Sequence, residues 1–259
     1  MAGLKSIMRL LVLFLVLTPL LRANALDALR ARLAGLDGTQ PVRAVVEYAF
    51  TSREGDAATE ERGKASVVAE EGPTGLSLFW AKRVLATASA ELEAHARNPE
   101  IRTPTRHILQ TLDAERVYDY FHAAQRLQRG LEGAQLVSDA GTLFEGRPAR
   151  LLTVRLKPKL NVHDRKYVKQ ADFTERIWTD ATGVPLAADM KLIVRGRALL
   201  VITFETSERE RYWFMVTGGR LLVTRQERES SGSGGGERNL RSSVTNLTYE
   251  CTGGRRQAY

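Results

Sequence analysis

Few residues in this 259-residue chain stand at spacings that do chemistry. The four histidines are His95, His107, His122 and His163, and none falls in a motif for metal binding or nucleophile activation; there is no His-Glu-x-x-His. Asp119 and His122 are three apart, with Tyr118 and Tyr120 alongside, so on a helix they would share a face and supply a metal or acid–base half-site. No third ligand accompanies them, and a solvated helix-surface pair is the plainer reading. The run Ser230–Gly236 lacks the spacing of a nucleotide loop, with Glu237 where a third glycine would stand and no Gly-Lys-Ser/Thr after it. It is expected to be a flexible hairpin tip. Cys251 is the only cysteine, which rules out an intramolecular disulfide and a cysteine-built metal centre; it is expected to be a small buried strand residue. No cofactor and no metal are implied.

The cations are the next candidates. Lys157, Lys159, Arg165, Lys166 and Lys169 crowd one connection in which Asp164 is the only acid. Such a segment either docks on anionic headgroups or an acidic partner, at about 1 kcal/mol per well-placed cation, or simply faces water. Nucleic acid is not an expected partner, because no aromatic-plus-basic recognition motif accompanies the charge.

At the N-terminus Lys5 and Arg9 precede the apolar run Leu10 to Leu17, then Pro19 and Ala23-Asn24-Ala25. That order is an export signal, and its apolar part is shorter than the ~20 residues a membrane-spanning helix needs. Cleavage is expected after Ala25, giving a soluble periplasmic or secreted protein; an uncleaved anchor is the alternative. Lys5, Arg9 and Arg22 would leave with the signal, taking the formal net charge from +8 to +5. Residues 26–259 are long enough for a core without disulfides and are read as one domain.

The elements that must position these groups follow from periodicity. Leu26, Leu29, Leu33 and Leu36 recur at helical spacing. Alternation from Val42 to Phe50, then Ala65 to Ala69 and Leu76 to Trp80, predicts three strands separated by turn residues. The stretch from Ala81 to Leu131 is helical in three pieces, broken at Asn98-Pro99, with Thr103-Pro104 and Asp113 as helix starts. The third piece carries the strongest apolar stripe, Val117, Tyr120, Phe121, Ala124, Leu127 and Leu131. Strands resume at Ala134–Asp139, Arg150–Lys157, Phe173–Trp178, Pro185–Val194, Ala198–Phe204, Arg211–Val216, Arg220–Glu229 and Arg238–Cys251. The expected turns include Asp180 to Gly183, Arg195-Gly196 and Gly218-Gly219.

Phe144-Glu145-Gly146-Arg147-Pro148-Ala149-Arg150-Leu151-Leu152, then Ile177-Trp178-Thr179-Asp180 and Thr182-Gly183-Val184-Pro185-Leu186, resembles the superfamily of bacterial periplasmic lipoprotein carriers (LolA, LolB) and the sigma-factor regulator RseB. The resemblance covers about a third of the chain. It implies an open antiparallel half-barrel whose apolar concave side is lidded by helices and receives acyl chains.

Together these readings predict an α+β protein: a large curved antiparallel sheet, LolA-like, with helices covering one face. The expected function is non-enzymatic binding of a lipid or an acylated protein in a cavity lined by Trp80, Tyr120, Phe121, Leu127, Met190 and Phe214, with an anionic membrane surface as a further partner. An envelope sensor or assembly factor with a filled core is the alternative. A hydrolase ranks last, and would gain if His122 or His163 lay within hydrogen-bond reach of a carboxylate inside a cleft.

Overall fold

The computed structural model describes residues 25–55, 60–158, 165–198, 202–235 and 237–250. The expected signal segment before Ala25, Lys159, His163, Asp164 and Cys251 all lie outside the described residues. The first described element is a helix, α1, over 25–34. Its leucine stripe is buried as the spacing requires, Leu33 completely, so this helix docks on the core. The linker after it pairs with the sheet through an isolated bridge between Asp37 and Arg220 and through Leu221 N–H to the Leu36 carbonyl at 3.0 Å.

Ten strands form one open antiparallel sheet. They are β1 (Val42–Glu54), β2 (Glu60–Gly72), β3 (Gly75–Trp80), β4 (Gln135–Phe144), β5 (Arg147–Arg155), β6 (Val168–Thr179), β7 (Pro185–Ala198), β8 (Ile202–Thr217), β9 (Arg220–Gly234) and β10 (Glu237–Tyr249). Their order in space is β3-β2-β1-β10-β9-β8-β7-β6-β5-β4, so the last strand pairs with the first and β3 and β4 are the two edges. Between those edges the chain runs through α2 (Lys82–Arg97), α3 (Pro104–Thr111), α4 (Ala114–Phe121) and α5 (Ala123–Gly130). The helical excursion therefore carries the chain from one edge of the sheet to the other, and its short connections lay it across a single face. α3 packs on β2, α4 on β9 and β3, and α5 on β9. One contiguous core joins α1 and α3–α5 to that face. Among the described residues no helix is long and apolar enough to cross a membrane.

Several sequence expectations need correction. The third helical piece is two helices, because α4 ends at His122, whose φ of −118° and ψ of 48° are not helical. Asp113 does cap α4, accepting from Arg116 N–H at 2.8 Å, whereas Thr103 makes no side-chain cap. Arg195-Gly196 is not a turn: β7 runs through it to Ala198, and Gly196 is required there because a Cβ would stand 2.3 Å from the Phe204 ring of β8. Ala198 ends β7, whereas residues 202–204 of the next expected strand and the expected strand Arg211–Val216 belong to one strand, β8. Most of the Ser230–Gly236 run is also strand, with Gly232 opposite Thr206 and Asn239. β4 and β5 extend to a tight hairpin at Glu145-Gly146, both at positive φ. Pro148 is tolerated in β5 because β6 pairs only from Arg150 onward. Gly218-Gly219 forms the expected turn, with φ of 57° and 72° suiting a type I′ hairpin.

Candidate functional site

Strand alternation assigns each side chain to the helix-covered inner face or the bare outer face. Across the middle of the inner face runs a row in register: Tyr48 of β1, Thr245 of β10, Gln226 of β9, Tyr212 of β8, Ala188 of β7 and Ile177 of β6. Every member is buried. Tyr120, Phe121 and Leu127, predicted to line a cavity, join this row as core at 2%, 0% and 2% exposure. Trp80 and Phe214 pack at the margin of the same core, Phe214 stacking parallel to Tyr212 with ring centroids 6.3 Å apart. The buried hydroxyls are matched: Tyr120 donates to Gln226 Oε1 at 2.5 Å, and Gln226 Nε2 donates to the Tyr212 oxygen at 2.7 Å. Burial pushes the Tyr120 hydroxyl up to about 12.

Met190 stands apart from the other predicted lining residues, one row on. There the inner face reads Arg228, Glu210, Met190 and Glu175, from β9 to β6. Arg126 of α5 reaches down to this row, donating to the Tyr212 hydroxyl at 2.5 Å and lying 3.3 Å from Glu210, which also accepts from Tyr212. Burial alone would raise the Glu210 carboxyl, but Arg126, the Tyr212 hydroxyl and Arg228 outweigh it and hold it below its usual range. Glu175 lacks such support. At 4% exposure it is pushed up to about 7 by burial, with Arg126 opposing and Glu210 reinforcing.

None of the helices packs extensively on β6, β7 or β8, and beyond this row the apolar inner-face residues of those strands are only half-buried: Phe173 of β6, Leu192 and Val194 of β7, and Phe204 of β8. On the β9–β10 side of the same level lies a polar cavity of about 340 Å³ between the sheet and the α3–α4 turn, lined by His107, Thr111, Asp113, Arg116, Arg228, Ser230, Arg241 and Ser243 among others. At this level the inner face passes from the arginines of β9 and β10, over Glu208 of β8, which Arg228 pairs, to apolar side chains on β7 and β6. The predicted basic segment borders its end. Lys157, Arg165, Lys166 and Lys169 are exposed, and the adjoining Tyr167 carbonyl accepts from Arg197 N–H of β7 at 2.9 Å.

A second cluster sits where β2 ends, at the α4–α5 break. His122 Nε2 lies 2.8 Å from Glu71 Oε1 and 2.6 Å from an Arg220 nitrogen, and its Nδ1 lies 3.5 Å from Asp37. Arg220, 3% exposed, also pairs with Glu71 and donates to the Gln40 carbonyl at 3.2 Å, while its Nε is buried without a partner. Tyr118 stacks on the imidazole at 3.9 Å. A cleft of about 490 Å³ opens beside them, lined by Thr39, Pro41, Gly72, Pro73 and Gln125. The condition set for His122 is met, but through Glu71, while Asp119 pairs with Arg129 instead. Both imidazole nitrogens are engaged, and a guanidinium occupies the space a metal ion would need. Among the described residues no acid, histidine or cysteine cluster is arranged to hold one. The cluster ties α1's linker, β2, the helices and β9 together.

Glu175, Glu210, Arg126, Arg116, Arg241 and Arg220 were not singled out by sequence. Glu208 and Glu210 gave one signal, since they share the parity of Tyr212 and so put charge on an inward face. No family model, curated protein or solved structure matches the chain.

Proposed function

We propose that the protein is an exported, non-enzymatic binding protein that takes a lipid-like or acylated ligand on the inner face of its sheet, in the manner of the LolA-like carriers. One observation carries the reading: on the face whose middle is closed by helices, Phe173, Leu192, Val194 and Phe204 stay half-exposed, enough to receive a chain of methylenes. Each buried methylene contributes about 0.8 kcal/mol, so a chain of ten or more would bind without any further contact. The exposed cations beside this apolar patch are suited to meet an anionic membrane during loading or delivery. The test is a native mass spectrum of protein purified from its own envelope fraction. A one-to-one adduct of lipid mass is expected; ligand-free protein that also takes up no lipid extract would overturn the reading.

A second reading, the sensor or assembly factor with a filled core, draws on the complete burial of Tyr120, Phe121 and Leu127. It predicts capture of a protein partner by a variant whose apolar patch carries a charge, such as Leu192→Glu.

A further inference from the structure

Resting on the binding-protein reading, we infer that the ligand is an anionic amphiphile whose phosphate or carboxylate headgroup is held by Arg116 and Arg241, while its chain crosses β8, over the Arg228-paired Glu208, onto β7 and β6. Three arginines line one cavity of about 340 Å³, together with the hydroxyl-bearing Thr111, Ser230 and Ser243. Arg228 is committed to Glu208 and Glu210. Arg116 acts through space on Glu210, but among the described residues neither Arg116 nor Arg241 is in an ion pair with a carboxylate. Asp113, the one acid lining the cavity, is occupied as the cap of α4. Two guanidinium groups outside any ion pair, beside hydroxyl donors, suit a tetrahedral or planar oxyanion.

The distance to the apolar half fits one molecule. Ser230 and Arg241 are directly paired across β9 and β10, Ser230 pairs with Glu208, and Glu208 pairs with Leu192, which faces Phe173. Two strand spacings separate the cationic cavity from Leu192, about 10 Å, or roughly the length of eight methylenes. Charge at one end and half-exposed apolar side chains at the other reproduce the polarity of such a ligand. His107 reports on the cavity: burial, then Arg241 and Arg116, hold its imidazole below its usual range, and a bound anion would reverse the arginines' share.

The experiment titrates the full exported chain with dodecyl phosphate, dodecanoate, dodecanol and inorganic phosphate by calorimetry, and follows His107 by NMR. The two anionic amphiphiles are expected to bind at least about tenfold more tightly than dodecanol, since a charge-assisted hydrogen bond is worth that much. In the Arg116→Gln/Arg241→Gln variant this preference should vanish, while dodecanol binds as before. Dodecyl phosphate should also raise the His107 pKa in the wild type, a reading that needs no variant to fold. Equal affinity for dodecanol, or a His107 pKa unmoved by saturating dodecyl phosphate, would overturn the inference and leave the binding-protein reading intact. Inorganic phosphate binding as tightly as dodecyl phosphate would overturn it in favour of a free-anion site. Failure of all three twelve-carbon compounds to bind would overturn the binding-protein reading itself.

Discussion

Beneath α4 and α5 the inner face is closed, and two rows further along the same strands it is open. Tyr212 and Phe204 lie on one strand with the same parity, yet Tyr212 is sealed in a hydrogen-bonded core and Phe204 is half-exposed. The difference lies in the length of the strands relative to the helices. β8 has sixteen residues, about 53 Å at 3.3 Å each, whereas α4 and α5 have eight, about 12 Å each. Alternation decides which face a side chain takes; the helical footprint decides whether that face becomes core or surface. A row of charges, Arg228, Glu210 and Glu175, marks the border.

The contrast can be broken by mutation. Phe121→Ala, in the closed half, should cost about 4 kcal/mol in chemical denaturation, because the ring is fully buried and the site is walled by sheet and helices. Arg220→Met should cost about 3 kcal/mol, since it leaves Glu71 without its buried cation. A loss below about 1 kcal/mol in either would show the closed half to be looser than described.

The border has a pH signature. Glu175 binds its proton more tightly folded than unfolded, with a pKa of about 7 against 4.5, so the native state holds the extra proton between those values and stability falls as pH rises through them. The loss amounts to about 3 kcal/mol. Glu175→Gln should abolish that slope and make the variant the more stable protein at pH 8, as urea titrations at pH 5 and pH 8 will register. An unchanged slope would place the titration elsewhere. Smallest of all, Leu192→Ala in the open half should cost under about 1 kcal/mol, because a side chain already half in water loses little on truncation.

Much of the scaffold was legible in sequence. The Leu26–Leu36 stripe, the Asp113 cap, the Gly218-Gly219 turn and the strand-helix-strand order all rest on local periodicity or turn chemistry, which a window of residues contains. The misreadings share a physical cause. Gly196 and Ser230–Gly234 look like punctuation, but they lie in strands because neighbouring strands supply the contacts that Gly and Ser do not, and because Phe204 needs the space above Gly196. The His122 cluster was only half visible. His122 stood out as chemistry-bearing, while its partners Asp37, Glu71 and Arg220 come from three distant segments that only the sheet order brings together. Of the six predicted lining residues, the helical ones have the stripe expected of a lid, and a stripe cannot distinguish side chains packed on a ligand from side chains packed on a sheet.

The central claim is that the open half of the inner face holds an acyl chain. Titration of a fluorescent fatty-acid probe into the wild type and Leu192→Glu measures it most directly, with unfolding followed in parallel. The account predicts saturable one-to-one uptake by the wild type and none by the variant, at nearly equal stability, because residue 192 is half-exposed and its charge stays solvated. No saturable uptake by the wild type, or undiminished uptake by Leu192→Glu, would contradict it.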